Sequence, residues 1–123
     1  MKNFYLLFSF LITSLFIQCN AQPVAGQKGE VIFDSLSGRK MQIYLPAGYH
    51  TSGKNYPVIY MNDGQNLFFD STSAFGEWKI DEILDSLIAS GLIEPVIVAG
   101  IYNSPRRAEE YVPYKDEFNQ KNF

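Results

Sequence analysis

The chain has 123 residues, 46% hydrophobic and 15% aromatic, a composition that suits one globular domain and lacks the bias that marks disorder or low complexity. Its formal charge is −3, and its arginines, Arg39, Arg106 and Arg107, form no basic cluster larger than the last pair, which argues against nucleic acid as a partner. The one cysteine, Cys19, leaves no disulfide to be made within the chain.

The first predicted element is a leader. Lys2 precedes YLLFSFLITSLFI, an apolar run too short to cross a bilayer comfortably. Cys19, Asn20 and Ala21 follow at the spacing a signal peptidase reads, so residues 1–21 read as a secretory signal and the product as exported, periplasmic or secreted. Two alternatives stand beside this. One is a retained membrane anchor; the other is a lipoprotein anchored at Cys19, although the residue before that cysteine is Gln18 and not a small one. Only those alternatives bring a membrane in as a partner. Cleavage after Ala21 removes Lys2 alone among the charged residues, and the formal charge becomes −4.

Residues 22–28 read as a loose arm, and the domain is expected over 29–123. GEVIFDSLSGRKMQIYLP predicts a hairpin, with Val31 and Phe33 alternating with Ile32 on one arm, and Met41, Ile43 and Leu45 alternating with Tyr44 on the other. Ser35 to Gly38 supplies its turn. His50 to Asn55 reads as a polar surface loop and Tyr56 to Met61 as a third strand. GEWKIDEILDSLIASG predicts a helix with Ile80, Ile83, Leu84, Leu87 and Ile88 on one stripe and Lys79, Asp81, Glu82, Asp85 and Ser86 facing away. Gly91 sits where a helix C-terminus favours positive φ. Pro95 then introduces VIVAGI, a continuous apolar run that reads as a strand buried on both faces. Strand, helix-bearing connection and buried strand make a βαβ unit with a right-handed crossover. The fold class expected is therefore α/β, a hairpin followed by a βαβ unit of a mostly parallel sheet.

The Asp63-Gly64 pair after the third strand is ordinarily a hairpin signal. Here no strand follows to pair back: Leu67-Phe68-Phe69 leads to Asp70-Ser-Thr-Ser and the helix. A loop at the C-terminal edge of a parallel sheet is where α/β proteins carry their sites. Other chemistry finds little support. His50 is the only histidine, without a nucleophile or acid beside it in sequence, and reads as a surface residue. Ser37, Ser52 and Ser90 each precede a glycine, but none lies in G-x-S-x-G. NDGQNLFFD lacks the glycine position and closing glutamate of a calcium loop, so neither a metal nor a cofactor is expected.

Taken together, NDGQNLF, the tryptophan-bearing helix, the buried strand and IYNSPRRAEEYVP resemble, from about Gly29 to Pro113, the N-terminal half of the "Putative esterase" family of α/β hydrolases, related to ferric enterochelin esterases, feruloyl esterases and S-formylglutathione hydrolases. The resemblance implies an oxyanion loop at Asp63, Gly64 and Gln65, acting through backbone N–H groups, with Gly64 letting the chain turn beside the donor Gln65. It also implies a structural or substrate-facing cluster of Asp63, Arg107, Glu110 and Tyr111, and a small-molecule ester as substrate of the full-length protein. The family's G-x-S-x-G, acid and histidine lie on later segments, so the sequence reads as an esterase portion that should not catalyse alone. The rival is a small exported domain that binds a ligand or sugar through Tyr49, Tyr102, Tyr111 and Tyr114. Against it, no closing strand follows VIVAGI, so the last buried strand is expected to lack a neighbour.

Overall fold

Alternation and a tight turn produce the hairpin as expected. Glu30–Leu36 (β1) and Arg39–Leu45 (β2) pair antiparallel, and Ser37 and Gly38 both take positive φ (53° and 78°), the backbone that a two-residue hairpin turn matched to strand twist requires. The computed structural model describes residues 26–112. The expected leader, Cys19 and Tyr114 lie outside them. The polar loop contains one helical turn, Tyr49–Ser52 (α1). Val58–Asn62 (β3), Ile80–Ala89 (α2) and Ile97–Ile101 (β4) follow, and β3 pairs parallel with β4, so the βαβ unit is present. Arg107–Tyr111 is a last short helix (α3).

The sheet order β1-β2-β4-β3 corrects two expectations. The last strand does not lack a neighbour: β4 inserts between β2 and β3, and the outer strands among the described residues are β1 and β3. The described sheet is also mixed and not mostly parallel, because β4 meets the hairpin antiparallel, Met41 opposite Ile101 and Tyr44 opposite Val98. The inner position of β4 is why its apolar run shows no alternation. Val98 and Ala99 are buried there, whereas Val58, Ile59 and Tyr60 on the edge strand are exposed.

One face of the sheet carries the core. Tyr44, Val96 and Val98 pack with Leu67 and Phe68 from the segment after β3 and with Leu84 and Ile88 of α2. On β2 the fully buried pair is Gln42 and Tyr44, while Met41 and Ile43 on the other face are only partly covered, an inversion of what their polarity suggests. The helix stripe needs two corrections. Ile83 is exposed, and Asp85 turns inward to accept hydrogen bonds from Tyr44 Oη and the Gly29 N–H, both at 2.8 Å. That bond and its own burial push the Tyr44 hydroxyl's pKa up, burial being the larger cause. The helix ends as the sequence implies. Gly91 has φ 69°, its N–H donates to Ile88 C=O, and Leu92 N–H donates to Leu87 C=O, the pair of bonds that closes a Schellman C-terminus.

Candidate functional site

The Asp-Gly pair does not reverse the chain. Asp63 takes a left-handed backbone (φ 56°, ψ 41°) and starts a single 3-10 turn, Gly64–Asn66, at the C-terminal end of β3. A non-glycine residue in that region costs about 1–2 kcal/mol and persists only where its surroundings hold it. The holding groups are explicit. Arg107 donates from Nε to Asp63 Oδ1 at 2.9 Å and from Nη2 to Oδ2 at 2.7 Å, Asn103 Nδ2 donates to Oδ1 at 2.9 Å, and Tyr111 Oη donates to Oδ1 at 3.1 Å. The Arg107 hydrogen bonds, opposed by partial burial and reinforced by Asn103 and Tyr111, bring the Asp63 carboxyl down to about 2. The Arg107 guanidinium also lies over the Tyr111 ring, 4.7 Å from its centroid. Tyr111 is shifted upward, by burial first and by its bond to Asp63 second.

A second bidentate pair secures the same helix. Arg39 of β2 donates from Nη1 and Nη2 to the Glu110 carboxylate at 2.9 and 2.8 Å, and Ser104 Oγ donates to it at 2.6 Å. Arg39 first, then Ser104, bring Glu110 down to about 2. No residue of α3 is buried, so these polar contacts are what bind it to the sheet. Arg107, Glu110 and Tyr111 are thus brought together at one place, but Glu110 bonds Arg39 and Ser104 and not Asp63.

Gly64 has a different purpose from the one expected. The positive φ belongs to Asp63; Gly64 is buried against β4, and a Cβ added to it would meet Gly100 C and O at 2.3 Å. It permits a close approach of two backbones and makes no sharp turn itself. The next residue is fixed on both sides of its Cα. The Gly64 C=O accepts from Leu67 N–H at 3.3 Å, and the Gln65 C=O accepts from Thr72 Oγ1 at 2.7 Å. Gln65 Oε1 accepts from Asn103 N–H at 3.3 Å. The Gln65 N–H donates to no acceptor among the described residues.

Beside this turn lies an open groove of about 570 Å³ bordered by Gln65, Asn66, Phe75, Trp78, Asn103 and Arg107. Its outer wall is the segment leading into α2, fixed by Trp78 N–H donating to Asn66 C=O at 2.8 Å and Glu77 N–H to Asp70 Oδ1 at 3.0 Å. Phe75 is 95% exposed at the tip of that wall and Trp78 52% exposed. Two hollows of about 650 Å³ lie elsewhere, against β1 and β2 and beside Ser104 and Arg106, but neither includes Gln65. The groove matters because Gln65 is among the residues that line it.

His50 sits outside this constellation, exposed on α1 with its Nε2 against the Glu30 carboxylate. Among the described residues no group of His, Cys, Asp and Glu is placed to hold a metal ion. Of the tyrosines of the binding-domain alternative, Tyr102 and Tyr111 use their hydroxyls on Gln42 and Asp63, and Tyr49 packs on Tyr56. Sequence reasoning overlooked Arg39, Thr72 and Gln42, and gave no role to Asn103. Asn103 alone left a signal, since it stands in the stretch that carries Arg107, Glu110 and Tyr111.

The chain is similar to several known proteins. The chain is 40% identical over 84 residues to an "Endo-1,4-beta-xylanase/feruloyl esterase" of Xylanibacter ruminicola, a match covering 63% of this chain and 11% of the relative. It is 26% identical over 87 residues to "Uncharacterized protein YbbA" of Bacillus subtilis, covering 71% of this chain and 31% of the relative. Among solved structures, a mutant of the feruloyl esterase module from Clostridium thermocellum complexed with sinapinate aligns with a TM-score of 0.46 at 30% identity, covering 61% of this chain and 27% of that one. The chain therefore spans less than a third of each of these proteins. The family match extends over residues 37–122, from the hairpin turn through the Asp63 clamp, and on that match the chain belongs to the "Putative esterase" family.

Proposed function

We propose that this chain provides the carbonyl-stabilising part of an exported serine esterase of the α/β-hydrolase fold, and that the full-length protein hydrolyses esters of aromatic carboxylic acids through an acyl-enzyme. One observation carries the reading: Gln65 has its carbonyl and its side chain bonded, its N–H has no acceptor among the described residues, and the residue lines a groove walled by exposed aromatic rings. Acyl transfer puts negative charge on the carbonyl oxygen in the transition state, and fixed N–H donors directed there stabilise it without reorganising. Gln65 N–H supplies one donor. The residue after the nucleophilic serine, on a later segment of the full-length protein, supplies the other. Trp78 and Phe75 offer flat apolar surface to an aromatic acyl group, in keeping with the feruloyl esterase named among the relatives. Asp63, Arg107 and Tyr111 act as the clamp behind the donor, and Glu110 holds their helix. Residues 1–21 direct export.

The test uses the full-length protein with p-nitrophenyl acetate and methyl ferulate as substrates. Wild type hydrolyses both. Gln65→Ala keeps the N–H and loses only the contact to Asn103, so kcat falls no more than a few-fold. Gln65→Pro removes the donor and lowers kcat by about 10²–10³-fold, the usual effect of deleting one such contact. Proline breaks no hydrogen bond among the described residues at this position, and unchanged KM and thermal stability separate loss of the donor from a misfolded loop. Absence of hydrolysis by wild type refutes the esterase reading. Activity indifferent to Gln65→Pro refutes the assignment of the donor.

A further inference from the structure

The least expected side chain in the sheet is Gln42. It is fully buried in the middle of β2, opposite Phe33 and Gly100, and its Oε1 has no hydrogen-bond partner among the described residues. A buried amide with an unpaired oxygen is costly, and an apolar residue of the same shape would pack there at no such cost. Its Nε2, in contrast, is fully used, donating to Thr72 Oγ1 at 3.1 Å and to Tyr102 Oη.

We propose that Gln42 is a positioning residue for the carbonyl-stabilising loop, acting through Thr72 on Gln65. This rests on the esterase reading above. The argument is one of proton direction. An amide nitrogen can only donate, so Thr72 Oγ1 must accept from Gln42, and its own single proton is turned away from the sheet. The acceptors on that side are Gln65 C=O at 2.7 Å and Phe69 C=O at 3.1 Å, of which Gln65 is the nearer. Gln42 thereby fixes the peptide plane that follows Gln65 Cα, while Leu67 N–H fixes the plane that precedes it. The Gln65 N–H lies in the preceding plane, and the Thr72 bond to the Gln65 C=O restrains it from the other side of the Cα. Without Gln42 the Thr72 hydroxyl can rotate toward the sheet and release the carbonyl.

The experiment is a double-mutant cycle in the full-length protein with Gln42→Met, which keeps the volume and removes the amide, and Thr72→Val, which keeps the shape and removes the hydroxyl. Each single variant lowers kcat by about 10–10²-fold, as a displaced donor does, with KM within twofold of wild type. The double variant is no slower than the worse single one, because both break the same chain. Thermal stability of Gln42→Met is equal to or above wild type, since the unpaired oxygen is gone. A merely structural glutamine gives the opposite pattern, with lost stability and unchanged kcat. Unchanged kcat in both singles, or losses that multiply in the double, overturns the proposal, and Gln42→Leu takes its place in the cycle if Gln42→Met fails to fold. The two readings fail separately. A wild type without hydrolysis removes the esterase reading and the role of Gln42 with it, whereas a wild type sensitive to Gln65→Pro but indifferent to Gln42→Met and Thr72→Val removes only Gln42.

Discussion

Substitution at Asp63 separates backbone strain from side-chain bonding, because the position combines a left-handed backbone with a carboxylate bound by Arg107, Asn103 and Tyr111. The Arg107 side chain is 52% exposed, so solvent screens the ion pair and limits its contribution to about 1 kcal/mol. The bonds from Asn103 and Tyr111 contribute on the order of 1 kcal/mol together. Asparagine retains an acceptor oxygen and tolerates the left-handed region, so Asp63→Asn costs about 1 kcal/mol, chiefly the ion pair. Glycine forfeits every bond but relieves the strain, which places Asp63→Gly at about 1 kcal/mol. Alanine forfeits the bonds and leaves the strain that Asp63 already carries, so Asp63→Ala costs about 2 kcal/mol. Equilibrium urea unfolding of the full-length protein and the three variants, at a common m, measures the order. Alanine worse than glycine by about 1 kcal/mol reverses the usual preference and reports the backbone directly. If alanine is no worse than glycine, residue 63 is not held left-handed; if asparagine matches wild type, the charge contributes nothing. Either result refutes the reasoning.

Acid should loosen α3 through its carboxylates. Asp63 and Glu110 are both brought down to about 2 from ordinary values of 3.8 and 4.5, so the stability they add is present above those ordinary values and is lost as pH falls toward 2. Following the Arg39 and Arg107 side-chain NMR signals on acid titration reads this, and Asp63→Asn removes the Arg107 part of the transition alone. Gly64→Ala, which drives a Cβ into the Gly100 backbone, should destabilise by about 3 kcal/mol, at the upper end of overpacking costs because neither backbone can yield, with thermal unfolding as the measure. Tyr44→Phe should cost about 1–2 kcal/mol in urea unfolding, as Asp85 loses the buried hydroxyl and keeps only the Gly29 N–H.

The parts of this structure visible in the sequence are the local ones. The alternation of Glu30–Leu45, the Ser37-Gly38 turn, the apolar stripe at Leu84 and Ile88 and the Gly91 terminus each depend on neighbours a few residues away. Gln42 shows the limit. A glutamine within a strand reads as solvent-facing, and its burial comes from Thr72 and Tyr102, which only the folded segment after β3 and the end of β4 bring over it. Arg39 and Glu110 are likewise unrelated until β2 and β4 lie side by side. Periodicity also does not tell an inner strand from an edge strand, so the apolar run of Val58–Asn62 promised more cover than the sheet order provides. At the candidate site, the sequence assigns the turn to Gly64, and the backbone differs. The unusual backbone is at the aspartate, and it is Gly64's lack of a side chain, not its flexibility, that the packing uses.

The central place of β4 has a kinetic consequence. A ribosome delivers the hairpin first and β3 next, and these have no common border in the finished sheet, where Ile97–Ile101 lies between them. The strand that joins them is the last of the four to be made. At a synthesis rate of roughly 5–20 residues per second, about 3–11 s separate the emergence of Leu45 from that of Ile101. Throughout that interval the open border of β2 and both borders of β3 are unpaired, with Ile43, Val58 and Ile59 beside them. Such a nascent chain is a natural client for a holding chaperone, and its folding rate should be limited by the non-local insertion of β4 and not by the hairpin. Substitutions that weaken β4 pairing, such as Val98→Ala, should therefore slow refolding, while those in the Ser37-Gly38 turn should mainly speed unfolding.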